Sequence, residues 1–280
     1  MITLVILNAA KDFLIHITKG GYMELTWLGT AGFQFKTGEN AFLIDPYLSR
    51  NAAARPQQPS VPSDITRADQ IFVSHGHFDH IFDIPAIASQ TGSRVYCCPV
   101  AANTLKQKGL DGNQIREVRQ NDYAVAFEGY RAGASFSQHV KFDRWLLIKT
   151  LARINLRIPR YLPLMKAYPV GQVLSWQFEI DGKVLRHFGS AGSTPQELER
   201  VGRQKIDILL VPLQGHTRIC DIALRYVQAL KPRLVIPHHQ DNFFPPISTY
   251  VDIRPFIEGV ARTSPDTAIR ILQINETITI

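Results

Sequence analysis

Cysteine is scarce: the 280 residues hold three, Cys97, Cys98 and Cys220. Adjacent cysteines rarely pair with each other, and no Cys-x-x-Cys spacing occurs. A disulfide framework and a thiolate zinc knuckle are therefore not expected. Small buried residues in a reducing, cytoplasmic compartment are. Long apolar runs are missing as well, and none approaches the ~20 residues that span a bilayer. Residues 2–7 are apolar but short, have no basic start, and are soon followed by Lys11 and Asp12, a poor match to a secretory signal. Residues 1–22 read as an extension ahead of the first convincing strand, at Met23. Acidic residues, finally, are absent from one long stretch, 144–171.

What is present suffices for a large core: 45% of residues are hydrophobic and 20% charged. The net charge of +7 suggests an anionic partner, but its location matters more than its size. Arg144, Lys149, Arg153, Arg157, Arg160 and Lys166 all lie in 144–171, and removing those six from +7 leaves about +1. They are interleaved with Trp145, Leu147, Ile148, Leu151, Leu162 and Met165 among other apolar residues. The basicity is local, unlike the broad basic surface that nucleic acid requires, so nucleic acid is not the expected partner. Such a segment suits the mouth of a cleft for an acidic amphiphile, or an anionic membrane surface with its arginines snorkelling. A packing helix or a contact in a homo-oligomer is the plainer reading.

Short strands are expected at 24–28, 32–36 and 41–44, with a Pro-rich loop at 51–63 and a buried strand at 70–73. Helix 82–90, strand 94–98 and helix 101–108 follow. A hairpin is expected across Glu128-Gly129. A stronger one joins 173–180 to 184–188 through Asp181-Gly182. Thr194, Pro195 and Glu197 open a helix over 195–203. Strand 206–211, helix 219–230, strand 233–236 and helix 250–260 complete the pattern. Two groups of strands, each with helices, predict an α/β fold of two packed sheets covered by helices. Residues 23–280 form one domain in this reading, with 144–171 inserted.

The densest chemistry is Ser74-His75-Gly76-His77-Phe78-Asp79-His80, just past a strand. Three imidazoles and a carboxylate in six positions suit a borderline divalent ion: zinc first, manganese or iron also. A chain holding nine histidines in 280 residues rarely clusters three of them this way by chance.

His75, His77, Asp79 and His80 match the HxHxDH signature, and the chain from about Met23 to Phe244 resembles the metallo-β-lactamase superfamily. The resemblance implies a four-layer αββα sandwich and one or two divalent metal ions. It implies that His75, His77 and His139 hold one ion, with His139 in Ser137-Gln138-His139. Asp79, His80 and His239 would hold the other, His239 rather than His238 fitting the closing Pro-x-His. Asp45, in Leu43-Ile44-Asp45-Pro46, would orient a liganding histidine. The intervals look most like the branch with sugar-acid lactonases and N-acyl-phosphatidylethanolamine phospholipase D enzymes.

One position departs from the family. Ser190 stands where an aspartate normally bridges the two ions, and serine cannot supply that charge. Three consequences are open: one tightly held ion and a weak second, another carboxylate such as Asp241 swinging in, or a degenerate member with little activity. His187 and His216 are further residues that could approach the cleft, His216 as a catalytic group. The implied chemistry is hydrolysis of an ester, lactone, amide or phosphodiester in a small or lipid-like anionic substrate. Asp79 would accept a hydrogen bond from the attacking water or pass on a proton. A phosphodiesterase or nuclease and a non-catalytic binding protein are the alternatives. The expected location is cytoplasmic, with peripheral membrane attachment through 144–171 as a variant.

Overall fold

The computed structural model describes residues 23–154 and 158–280; the extension 1–22 and Arg157 of the basic segment lie outside them. Two seven-stranded sheets carry the fold. The first contains β1 (Met23–Gly29), β2 (Gly32–Thr37), β3 (Asn40–Ile44), β4 (Gln70–Phe72), β5 (Arg94–Cys97), β6 (Ile115–Glu117) and β14 (Thr277–Thr279), in the order β14-β1-β2-β3-β4-β5-β6. The second contains β7 (Tyr123–Phe127), β8 (Tyr130–Ser137), β9 (Val173–Ile180), β10 (Lys183–Phe188), β11 (Ile208–Pro212), β12 (Leu234–His238) and β13 (Ala268–Ile269), in the order β13-β12-β11-β10-β9-β8-β7.

Both sheets are mixed. β1–β3 and β7–β10 pair antiparallel, whereas β3–β6 and β10–β13 run parallel. The sheets meet face to face over an aromatic core. Phe35 and Phe42 of the first stack at 4.6 Å, and Phe42 stacks on Phe178 and Tyr130 of the second at 4.8 and 4.6 Å. Burying large rings from both inner faces is the main force holding the layers together.

Helices cover the outer faces. α1 (Phe78–Ile81), α2 (Ile84–Thr91) and α3 (Pro99–Gln107) follow β4 and β5. α4 (Arg144–Ile154) and α5 (Ile158–Ala167) occupy the basic stretch, while α6 (Pro195–Val201), α7 (Ile219–Leu230) and α8 (Arg254–Thr263) cover the second sheet. Leu198, Tyr226, Val227 and Phe256 of α6–α8 pack with Leu209, Val211 and Val235 in a second core. β11 reads Ile-Leu-Leu-Val-Pro and is buried at every residue, as a parallel strand covered on both faces must be. The result is the expected αββα sandwich. No described helix is long and apolar enough to cross a membrane.

Local signals explain most boundaries. β9 and β10 join through Asp181 and Gly182 at φ 49° and 75°, the left-handed pair that a tight hairpin demands. Thr194 caps α6 and Glu197 reaches back to the cap amide, closing the box. The helix expected over 82–90 is α2, which begins at Ile84, and α1 is a separate four-residue turn ahead of it, with Asp83 between the two. That buried carboxylate accepts the Leu48 and Ser49 amides at 2.6 and 2.8 Å. α8 begins at Arg254 rather than 250, because Asp252 takes the Arg254 amide just ahead of it.

Candidate metal centre

The residues singled out from sequence cluster at the ends of strands. Asp45 follows β3, His75 and His77 follow β4, His139 follows β8, Gly189 and Ser190 follow β10, and His239 follows β12. His77 is the N-cap of α1, so Asp79 and His80 stand in the first turn of that helix. The loop carrying His75 is pressed beneath the chain leaving α5: the Gly76 amide donates to the Val170 carbonyl at 2.8 Å. A Cβ on Gly76 would collide with the Pro169 carbonyl, so only glycine fits.

Two triads result. One ligand atom from each of His75, His77 and His139 lies within 4.8 Å of the others, and the same holds for Asp79, His80 and His239. The rings of His75 and His80 are 3.9 Å apart, which makes the triads neighbours. Asp79 Oδ2 is 3.3 Å from His239 Nε2 and 3.6 Å from His80 Nε2. His75 Nε2 and His77 Nδ1 stand 3.2 Å apart. That separation matches the roughly 3.3 Å between two nitrogens held tetrahedrally at zinc–nitrogen bond lengths.

Three of the rings, His75, His80 and His139, are fixed from behind. Asp45, at φ 44° and fully buried, takes the Ser74 amide on Oδ1 at 2.7 Å. Its Oδ2 accepts from Ser74 Oγ at 2.5 Å and from His80 Nδ1 at 2.8 Å. Ser74 Oγ also meets His75 Nδ1 at 3.0 Å, so one hydroxyl ties two histidines to one carboxylate. His139 Nδ1 donates to the Val140 carbonyl at 2.8 Å. These contacts use the Nδ1 atoms and leave Nε2 of His75, His80 and His139 facing inward, as metal-binding imidazoles require.

Electrostatics favour the ligand form of His75, His77, His139 and Asp79. Burial pushes the His75 imidazole far below its usual range, and nearby His80, His77 and His139 push the same way. Burial lowers His77 to about 4 against the opposing pull of Asp79, and it also lowers His139. His80 is raised: burial works against its charge, but Asp45 and Asp79 outweigh it. Asp79 falls well below the usual carboxylate range although burial opposes this, because His80 and His239 surround it. Neutral imidazoles and an ionised carboxylate are the states in which these side chains ligate a divalent ion. The donor set fits the group.

Other expectations land elsewhere. Asp241 is not in either triad. Its carboxylate forms a buried ion pair with Arg50 and accepts the Thr30 amide at 3.2 Å. A charge neutralised by a guanidinium has little drive to swing towards the ions, which corrects its assignment as a ligand. His216 also stands apart from the triads, its Nδ1 accepting the Arg218 amide at 2.9 Å beside Asp143. His187 and His238 stack on each other at 5.0 Å inside the core, His187 bonding the Ala31 carbonyl. Ser190 accepts the Val140 amide on Oγ at 2.9 Å and so steadies the turn that presents His139. The Ser74 hub and Gly189 carry no usable sequence signal. Gly189 has no Cβ, and one there would strike Ser74 Oγ.

A family model for the beta-lactamase superfamily domain matches residues 24–239. This chain belongs to that superfamily. Similar members include a UPF0173 metal-dependent hydrolase of Anaeromyxobacter dehalogenans, 30% identical, with 86% of this chain and 83% of the relative covered. Another, from Pyrococcus furiosus, is 29% identical over 81% of this chain and 88% of its own. Among solved structures, the metallo hydrolase Igni18 of Ignicoccus hospitalis superposes with a TM-score of 0.67 at 22% identity, covering 92% of this chain and 98% of that one. The superfamily fold is therefore shared along nearly the whole described chain.

Proposed function

We propose that this superfamily member is a metal-dependent hydrolase cleaving an ester, lactone or phosphodiester in a small or lipid-like anionic molecule. One observation carries the reading: two three-residue sets, holding five imidazoles and one carboxylate between them, converge side by side. The names of the relatives agree with it. His75, His77 and His139 would hold one ion and Asp79, His80 and His239 a second, zinc suiting these donors best and manganese or iron next. When bound, such an ion brings the pKa of water from 15.7 to about 7 and polarises the substrate oxygen.

The chain's own part is positioning. Ser74 and Asp45 hold the rings of His75 and His80, and the Val140 carbonyl holds His139. Asp79, ionised at neutral pH, accepts a hydrogen bond from the attacking water and so orients its lone pair. Beyond Phe78, whose neighbours are His77 and Asp79, Phe244 packs ring to ring at 4.7 Å. Phe244 in turn lines a cavity of about 590 Å³ with Asn51, Arg153, Tyr161 and Leu164. One cation among apolar walls suits an amphiphile with a single anionic group.

Metal-loaded protein assayed against aryl esters, lactones and bis(p-nitrophenyl) phosphate, with RNA and DNA as further arms, tests this. Turnover of a small anionic substrate is expected, and His77→Ala should abolish it together with metal in the first set. Cleavage confined to nucleic acid favours a nuclease. A metal-replete protein inert towards every arm removes the proposal.

A further inference from the structure

Helices α4 and α5 are apolar on the wrong side. The contact of α4 with the body of the protein runs through Leu146, Thr150 and Ile154, four residues apart on one stripe. The remaining surface of the pair still carries Trp145, Leu147, Ile148, Leu151, Leu162 and Met165, each 45–56% exposed. These are six of the twelve large apolar side chains that are exposed among the described residues. Exposed apolar patches of this kind mark a surface meant to be covered.

Charge decides what covers it. Arg144, Lys149 and Lys166 are exposed on the same helices, and the sequence has no acidic residue from 144 to 171. Among the described residues, none of the three takes part in an ion pair. The Arg144 guanidinium lies 5.3 Å over the Trp145 ring, the pairing of cation and indole that settles at a lipid headgroup boundary. A second copy of this chain fits badly, because a two-fold contact through this face would set cations against cations. A sheet of anionic headgroups over acyl chains answers both features at once.

We propose that the outward face of α4 and α5 docks the protein on an anionic bilayer, with the apolar side chains entering the headgroup boundary and the cations meeting phosphate. Docking is independent of metal and turnover, and so is its test.

The full chain is floated with vesicles of phosphatidylcholine alone and with phosphatidylglycerol added, at low and high salt. Binding is expected only to the anionic vesicles, weakening as salt rises. Trp145 supplies a direct reporter: the other two tryptophans, Trp27 and Trp176, are 3% and 0% exposed, so a blue shift of emission on binding comes from Trp145. Lys149→Gln with Lys166→Gln touches no core contact and should weaken partitioning about fivefold per cation removed. Leu147→Glu with Ile148→Glu should abolish it. Equal flotation on neutral vesicles, or none on either, overturns the proposal. So does a concentration-dependent dimer that the Leu147→Glu, Ile148→Glu variant dissociates, since the face would then be an interface between copies.

Discussion

At the scale of single residues, the centre depends on hydrogen bonds made behind the ligands. His75, His77, Asp79 and His80 are readable in the sequence because so many liganding side chains packed into one short run rarely serve anything but a metal. Ser74 is not, since a serine before a histidine has no signature; its role exists only when Asp45 arrives from 29 residues away. Asp241 misleads for the converse reason: a carboxylate near the closing histidine looks like a ligand until Arg50, distant in sequence, is seen to neutralise it. Ser190 sits beside His139 through Val140 and brings no charge. Ser190→Asp, which can keep the bond to the Val140 amide and adds a negative charge, is expected to raise metal content per chain, read by elemental analysis. Unchanged content would show that Ser190 does not limit the second ion.

The titration of these residues fixes a direction for stability. His75, His77, His139, His187 and His238 are all depressed in the folded chain, His77 and His187 to about 4. Between there and the free-imidazole value near 6.5 the unfolded chain binds more protons, so stability rises with pH. His80, which is raised, acts in the opposite sense, and mainly above that window. The metal-free protein should therefore lose thermal stability as pH falls from about 6.5 towards 4, a trend that melting scans in a pH series would reveal. A flat profile would mean that these imidazoles already carry protons when folded.

At the scale of elements, legibility follows the strength of the local signal. The β9–β10 hairpin and the start of α6 are plain because Asp181-Gly182 and Thr194-Pro195 each dictate a backbone geometry. β6, β13 and β14 leave no trace, being two or three residues long and so too short to display a period. The break between α1 and α2 is hidden because Asp83 stops the helix through amides of another segment, at Leu48 and Ser49. Thr194→Ala removes one half of the α6 capping box and should cost about 1 kcal/mol, measured by denaturant unfolding. No loss would mean that packing of Leu198 and Val201 alone holds that helix.

At the scale of the molecule, each sheet supplies part of the centre. The first gives Asp45, His75 and His77, with Asp79 and His80 on the helix that follows; the second gives His139 and His239. Ions held there would therefore tie the layers together and add to the stacking of Phe42 on Phe178 and Tyr130. Saturation at a hundred times the dissociation constant contributes about 2.7 kcal/mol, or roughly 5–11 °C of melting temperature in a chain this long. Chelation should lower the melting temperature by that amount, and zinc should restore it. The order of ligands along the chain has a consequence for biosynthesis. Four of them leave the ribosome within six residues of one another, but each grip stays open until a remote partner emerges, His139 for the first and His239 for the second. A nascent chain interrupted before β12 would lack His239 and hold half of the second clasp, able to pick up an ion there yet unable to close on it.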